Sequence, residues 1–167
     1  MYLNRILKKS QISSTLKKHQ KNNETIVFTN GVFDILHRGH VEYLAKAKKL
    51  GDVLIVGLNS DTSVRKLKGK GRPLQNQNDR AVILLALKVV DYVIIFGEDT
   101  PDKLIKKVKP DILVKGADYK ISEIVGADFV KSYGGIVKRI TLTRGRSTSS
   151  IVSIAQSAEC EKIKKNK

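Results

Sequence analysis

Apolar residues along this chain follow two rhythms. Ile26-Val27-Phe28, Val53 to Leu58, Tyr92 to Phe96, Ile112 to Val114 and Ile136 to Leu142 are short runs rich in β-branched and aromatic residues, each bounded by polar or glycine-containing segments; they predict strands. Between them the apolar positions take helical spacing. From Gly39 onward Val41, Leu44, Ala45 and Leu50 lie on one face. Thr62 to Leu67 predicts a single helical turn. Gln77 to Val90 predicts a helix that buries Val82, Ile83, Leu85, Leu87 and Val89. Thr100-Pro101 opens a helix running to about Lys109, with proline at its first position. Asp128 to Tyr133 predicts a short helix stopped by Gly134-Gly135. Ser147 to Cys160 predicts the last helix. Ahead of the first strand, Leu3, Ile6, Leu7 and Leu16 stand among lysines. They predict one helix or two short ones over residues 2–20, packed on the domain edge.

Regular alternation of strand and helix predicts an α/β fold, a doubly wound parallel sheet with helices on both faces and right-handed crossovers. Ligands in such sheets lie beyond the C-terminal ends of the strands, at the point where strand order reverses. The polar clusters at 29–40, 59–72, 115–119 and 143–149 all follow strands, so they are expected to converge on one edge. At 167 residues the chain suits one domain: a helical extension over 1–23, a core over 24–156 and a basic tail over 157–167.

Composition narrows the class. Hydrophobic residues make up 41% and charged residues 29%, which is globular rather than disordered. The one cysteine, Cys160, calls for no oxidising compartment. No secretory signal is visible, and the longest apolar stretch, Ala81 to Val90, is interrupted by Lys88 and too short to span a bilayer. A cytoplasmic protein without a membrane partner is expected. The formal charge of +16 points to polyanions, either nucleic acid or a substrate carrying several phosphates, or else to a lysine-rich surface without a partner. Aromatic residues are only 5% and no basic stretch is interleaved with them, which weighs against nucleic acid. Lys17 to Lys21 and Lys162 to Lys167 read as solvated helix ends or tails.

The chemistry concentrates between the first strand and its helix. Asn30-Gly31 breaks the strand, and Asp34, His37, Gly39 and His40 precede or open the helix. Free N–H groups and the dipole at a helix start favour an anion, and two imidazoles three residues apart add donors for phosphate. His-x-x-His also occurs in metal sites, though no cysteine or further histidine completes a shell here, and a structural pair remains a third reading. Lys68-Gly69-Lys70-Gly71-Arg72-Pro73 lacks Walker spacing and reads as a cationic flap over phosphates or a surface loop. Arg80, in the first turn of its helix, opposes the dipole and is a candidate for reaching back to a ligand, or else is solvated. Ser147-Thr148-Ser149-Ser150 offers a second helix start with hydroxyls.

The string TNGVFDILHRGH resembles the HxGH nucleotidyltransferase superfamily, in its cytidylyltransferase-like branch, with His37-Arg38-Gly39-His40 as the signature. More narrowly, NSDTSVRKLKGKGRP, EDTPDKLI, KPDILVKGADY and GRSTSSIV resemble the adenylyltransferase domain of bacterial heptose-phosphate proteins. The resemblance spans about residues 24 to 156. It implies a Rossmann-like sandwich, usually dimeric. It also implies transfer of AMP from ATP to D-glycero-β-D-manno-heptose 1-phosphate, for lipopolysaccharide precursor synthesis, with Mg2+ held mainly by the phosphates rather than by protein ligands. No kinase-like half accompanies the domain in this sequence, so the stand-alone form is expected. His37, His40 and Lys68 would be catalytic. Thr29, Asn30, Gly31, Phe33, Gly39, Asn59, Asp61, Arg72, Arg80, Lys115, Gly116, Ser147, Thr148 and Ser149 would serve the nucleotide. Asp34, Asp118, Tyr119 and Arg144 are sugar-phosphate candidates. The chain departs from the branch where Leu142 replaces the first arginine of Arg-Thr-x-Gly-x-Ser-Thr-Thr, and where Ala117 stands for a common glycine. Cytidylyltransferases for glycerol 3-phosphate or another alcohol phosphate, FAD synthase-like adenylyltransferases and a basic nucleic-acid-binding domain are the alternative readings.

Overall fold

In a computed structural model, which describes residues 2–141, 148 and 151–153, five parallel strands form one sheet. After a 3-10 turn at Leu3–Arg5, the elements run α1 (Ile12–Lys21), β1 (Ile26–Gly31), α2 (Arg38–Lys48), β2 (Val53–Asn59), α3 (Asp61–Lys68), α4 (Gln77–Ala86), β3 (Tyr92–Phe96), α5 (Asp102–Val108), β4 (Ile112–Gly116), α6 (Ala127–Ser132) and β5 (Ile136–Ile140). Strand order is β3-β2-β1-β4-β5. Order therefore reverses at β1: the chain first moves outward through β2 and β3, then returns to the other side of β1. That reversal defines where a crevice opens.

Alternate residues of each strand feed opposite faces. Ile26, Phe28, Val53, Ile55 and Ile94 pack with Ile12 and Leu16 of α1, Leu104 and Ile105 of α5 and Val130 of α6. Val27, Leu54, Val56, Leu58 and Val93 pack with Tyr43 and Leu44 of α2 and with Ala81, Leu84 and Leu85 of α4. Helices thus cover both faces, as the alternation predicts.

Register decides where the sheet stays closed. Strand β1 pairs with β2 from Ile26–Val53 through Gly31–Leu58. With β4 it pairs at Val27–Ile112 and Phe28–Leu113. Beyond Phe28 the strands diverge, and the C-terminal ends of β1 and β4 flank a gap.

Several elements differ from the pattern reading. Helix α4 ends at Ala86, four residues early, and its buried residues are Arg80, Ala81, Leu84 and Leu85, while Ile83 is exposed. A near-continuous apolar run does not reveal which face turns inward. Helix α3 spans two turns rather than one, because Ser60 caps it: its hydroxyl accepts from the Ser63 N–H at 3.2 Å. Strand β5 stops at Ile140. The run Lys17 to Lys21 is the end of α1, one of the two readings it offered, with its lysines exposed, while half-buried His19 bonds Glu24 at 2.8 Å and the Tyr92 hydroxyl at 3.1 Å. Ahead of α1, Arg5 donates to the Leu85 and Val90 carbonyls, and Ile6 bridges to Val93, so the extension covers the β3 edge. Of the predicted last helix, residues 148 and 151–153 are helical. The 143–147 turn and the basic tail lie outside the described residues.

Candidate active site

A cavity of about 580 Å³ opens at the C-terminal ends of the strands. Strand β1 delivers Asn30 and Gly31, and the turn behind it Val32, Phe33 and Asp34. Helix α2 delivers Gly39 and His40, with His37 as its extended N-terminal cap. The β2 side supplies Asn59, Leu67, Lys68 and Arg72, and β4 supplies Lys115 and Tyr119. Pro101 and Thr148 complete the wall.

The turn is shaped by one glycine and one strained aromatic. Phe33 has φ +45°, a left-handed conformation that side-chain-bearing residues rarely adopt. Its ring lies so close that a Cβ on Gly31 would stand 2.9 Å from it. The same ring meets His40 edge-on at 5.1 Å. His40 in turn stacks on His37, with centroids 3.8 Å apart and planes inclined by 22°. Among the described residues no side chain caps the first turn of α2, whose leading N–H groups face the turn after β1 as donors for an anion.

Burial, then the neighbouring His37, lowers the His40 pKa from 6.5 to about 4, with the Ile35 backbone opposing. His40 is therefore neutral at physiological pH and acts as a neutral hydrogen-bonding group rather than a cation. Among the described residues, the cavity's basic side chains are Lys68, Arg72 and Lys115.

Asp34 is buried, and its oxygens are occupied by protein. Oδ2 accepts from Arg72 Nε at 2.7 Å, and Oδ1 accepts from the Leu74 and Gln75 N–H groups at 2.8 and 3.1 Å. It ties the loop after α3 to the turn after β1. The Asn30 Oδ1 is likewise buried but meets no donor among the described residues, which leaves an acceptor in the wall. Thr148 donates its hydroxyl to the Ile35 carbonyl at 3.2 Å, bringing the last helix onto the same turn.

A family model described as cytidylyltransferase-like matches residues 28–163, most of the chain. The chain belongs to the cytidylyltransferase-like family. Within it, the chain is 52% identical over 151 residues to the bifunctional protein HldE of Syntrophotalea carbinolica, covering 90% of this chain and 31% of that protein. It is 54% identical over 152 residues to HldE of Wolinella succinogenes, covering 91% and 31%. It is 58% identical over 142 residues to HldE of Nitratiruptor, covering 85% and 30%. The chain thus spans about a third of the length of these relatives. Among solved structures it is similar to a lipopolysaccharide core biosynthesis protein from Thermoplasma volcanium GSS1, with TM-score 0.58 and 36% identity, covering 74% of this chain and 99% of that one.

Set against the residues that resemblance to this family nominates, the cavity gathers Asn30, Gly31, Phe33, Asp34, His37, Gly39, His40, Asn59, Lys68, Arg72, Lys115, Tyr119 and Thr148. Others stand elsewhere. Arg80 is neither solvated nor turned to a ligand: it is 1% exposed and donates to the Gln75 carbonyl at 3.0 Å, the Val32 carbonyl at 2.6 Å and Asp61 Oδ1 at 2.7 Å. Asp61 is its counter-ion and does not line the cavity. Thr29 is fully buried against the Tyr43 hydroxyl at 2.7 Å, and Gly116 is buried within β4. Asp118 is exposed outside the wall. Arg144, Ser147 and Ser149 lie outside the described residues. Val32, Leu67 and Pro101 were not legible as wall residues. Val32 and Leu67 sit inside nominated segments, but Pro101 reaches the cavity only through the placement of α5.

Proposed function

We propose that this chain transfers the adenylyl group of ATP to D-glycero-β-D-manno-heptose 1-phosphate, giving ADP-heptose and pyrophosphate. One observation carries the reaction type: the stacked His37–His40 pair at a helix start, inside a cavity whose only lining carboxylate among the described residues is already paired. The heptose-type strings carry the substrate. The HldE relatives and the similar lipopolysaccharide core biosynthesis protein point the same way.

In this reading an oxygen of the sugar phosphate attacks the α-phosphorus in line. The new O–P bond forms as the bond to the bridging oxygen breaks, and pyrophosphate leaves with that electron pair. Such a reaction needs positioning and charge stabilisation more than a nucleophilic side chain. His37 and His40 donate to oxygens on which charge grows. Lys68 and Arg72 hold phosphates from the β2 side, and Asn30 Oδ1 accepts from the nucleotide. Magnesium would offset phosphate charge. Asp34, the carboxylate that lines the cavity among the described residues, is already bonded to Arg72, and in this reading the phosphate oxygens would be the main ligands of the ion. The resemblance also supports a cytoplasmic homodimer with no nucleic acid partner. No helix among the described residues is long and apolar enough to cross a membrane.

A pyrophosphate-release screen of each NTP against sugar and alcohol phosphates tests the reading. ATP with heptose 1-phosphate is expected to turn over fastest; faster turnover of CTP with glycerol 3-phosphate would overturn it. In the same assay a folded His40→Ala enzyme is expected to lose about 10²–10³ in kcat, the usual cost of one lost transition-state donor. Near-native kcat would sink the assigned mechanism.

A further inference from the structure

We propose that the Lys115 ammonium grips the nucleotide's phosphates from the β4 side of the crevice and must be protonated when they bind. This deepens the adenylyl-transfer reading and rests on it for the identity of the anion. The placement follows from the sheet. Pairing of β1 with β4 stops at Phe28–Leu113, so Lys115 stands on a strand end that has parted from β1, in the wall shared by His37 and His40.

The ammonium is half-buried and, among the described residues, lacks a paired carboxylate. None of the ion pairs among the described residues includes Lys115. On its own loop, the exposed Asp118 favours the charged form without pairing, and the Tyr119 ring lies 5.6 Å from the ammonium. From α2 the facing group is His40, held neutral, with His37 stacked on it. Its register partner on β5, Arg139, directs a guanidinium N–H to the Tyr119 carbonyl at 3.2 Å. Across the cavity stand Lys68 and Arg72, the second already neutralised by Asp34. A half-buried ammonium in the cavity wall, with no ion-pair partner among the described residues, takes its counter-charge from a bound polyanion. Burial, opposed in part by Asp118, pulls its pKa from 10.5 down to about 8.

Two consequences separate this role from simple lining. The free enzyme loses the Lys115 proton as pH rises through about 8, so kcat/KM should fall there. Phosphates raise the ammonium's affinity for its proton, so binding near pH 8 should take up about half a proton per site.

The experiment uses the full chain. Binding of MgATP is measured by calorimetry at pH 8 in buffers of different ionisation enthalpy, beside pH profiles of kcat/KM. The wild type is expected to show proton uptake and an alkaline limb near 8. Lys115→Arg, which stays charged throughout, should keep kcat/KM within about tenfold while the limb and the uptake disappear. Lys115→Met, with a native melting curve, should lose about 10²-fold in kcat/KM and show no uptake, a loss of the size seen for single electrostatic donors. Uptake that persists in both variants, or a folded Lys115→Met within threefold of wild type, overturns the proposal. If instead MgATP binds with Lys115-dependent uptake but no acceptor phosphate is adenylylated, the proposed function fails and this role for Lys115 stands.

Discussion

Two aspartate–arginine pairs lie near one another in this fold and serve different ends. Asp61, the first residue of α3, holds Arg80 of α4; Asp34, in the turn after β1, holds Arg72 of the loop after α3. The Arg80 side chain is 0% exposed, and all three of its nitrogens donate to protein oxygens. The Arg72 side chain is 20% exposed, lines the cavity and, among the described residues, donates from Nε alone, to Asp34. A guanidinium carries five N–H donors. Where the protein engages every nitrogen, the arginine is part of the framework. Where a carboxylate fixes one edge and the other reaches a cavity, the arginine is oriented for an anion that the protein does not itself provide.

The largest expected effect breaks the framework pair. Arg80→Met keeps a long apolar stem but strands the Asp61 carboxylate and leaves the Val32 and Gln75 carbonyls without this donor. Removing one partner of a buried ion pair costs about 3–5 kcal/mol. Urea unfolding should show a loss of that size, while kcat of the remaining folded enzyme stays within a few-fold. A stability loss below about 1 kcal/mol, or a pure rise in KM for ATP, would place Arg80 on the ligand side of the comparison instead.

The second effect is smaller in stability and larger in function. Arg72→Ala removes a charge-assisted contact to phosphate, worth about 1.5–3 kcal/mol, and leaves Asp34 with its two backbone donors. The expected result is a 10- to 100-fold fall in kcat/KM, chiefly through KM for ATP, with about 1–2 kcal/mol lost from stability. If Arg72→Ala destabilises as much as Arg80→Met and leaves steady-state kinetics unchanged, the two regions are the same kind of clamp and the distinction collapses.

Sequence pattern alone separates these arginines poorly, and the reason is physical. Both are polar residues between strands, and a charge unfavourable to the helix dipole made Arg80 look available for a ligand. What retains it is two carbonyls, at Val32 and Gln75, and backbone carbonyls leave no trace in side-chain spacing. By contrast β2 and β3 were legible nearly residue for residue, since buried parallel strands are continuous apolar runs; β1 was legible only to Phe28, because it continues through Thr29, Asn30 and Gly31, where the Asn-Gly pair reads as a break but stays paired to β2. The histidine turn was legible too, because its residue types and spacing are specific. The half-buried state of Lys115 was not: it depends on β1 and β4 parting after two paired positions, a matter of register. The same holds for α4, whose inward face is set by what β2 and β3 present to it.

The smallest expected effect concerns a third arginine and sharpens the comparison from its other end. Arg38 stands between His37 and Gly39 in the signature, yet its side chain is 73% exposed and pairs with Glu42, one turn along α2, at 2.5 Å. An exposed pair of this spacing contributes about 0.3–0.5 kcal/mol. A positive charge at a helix N-terminus is disfavoured by a comparable amount, so Arg38→Ala should change stability by less than about 0.5 kcal/mol in either direction. Solvent and salt screen its charge from the cavity, so kcat/KM should stay within about threefold at 0.15 M salt. Chain position would predict the opposite, since its two neighbours, His37 and Gly39, are the ones assigned to the reaction and to the nucleotide. A tenfold loss in a folded Arg38→Ala enzyme would show that exposure and donor engagement are not what divides these arginines.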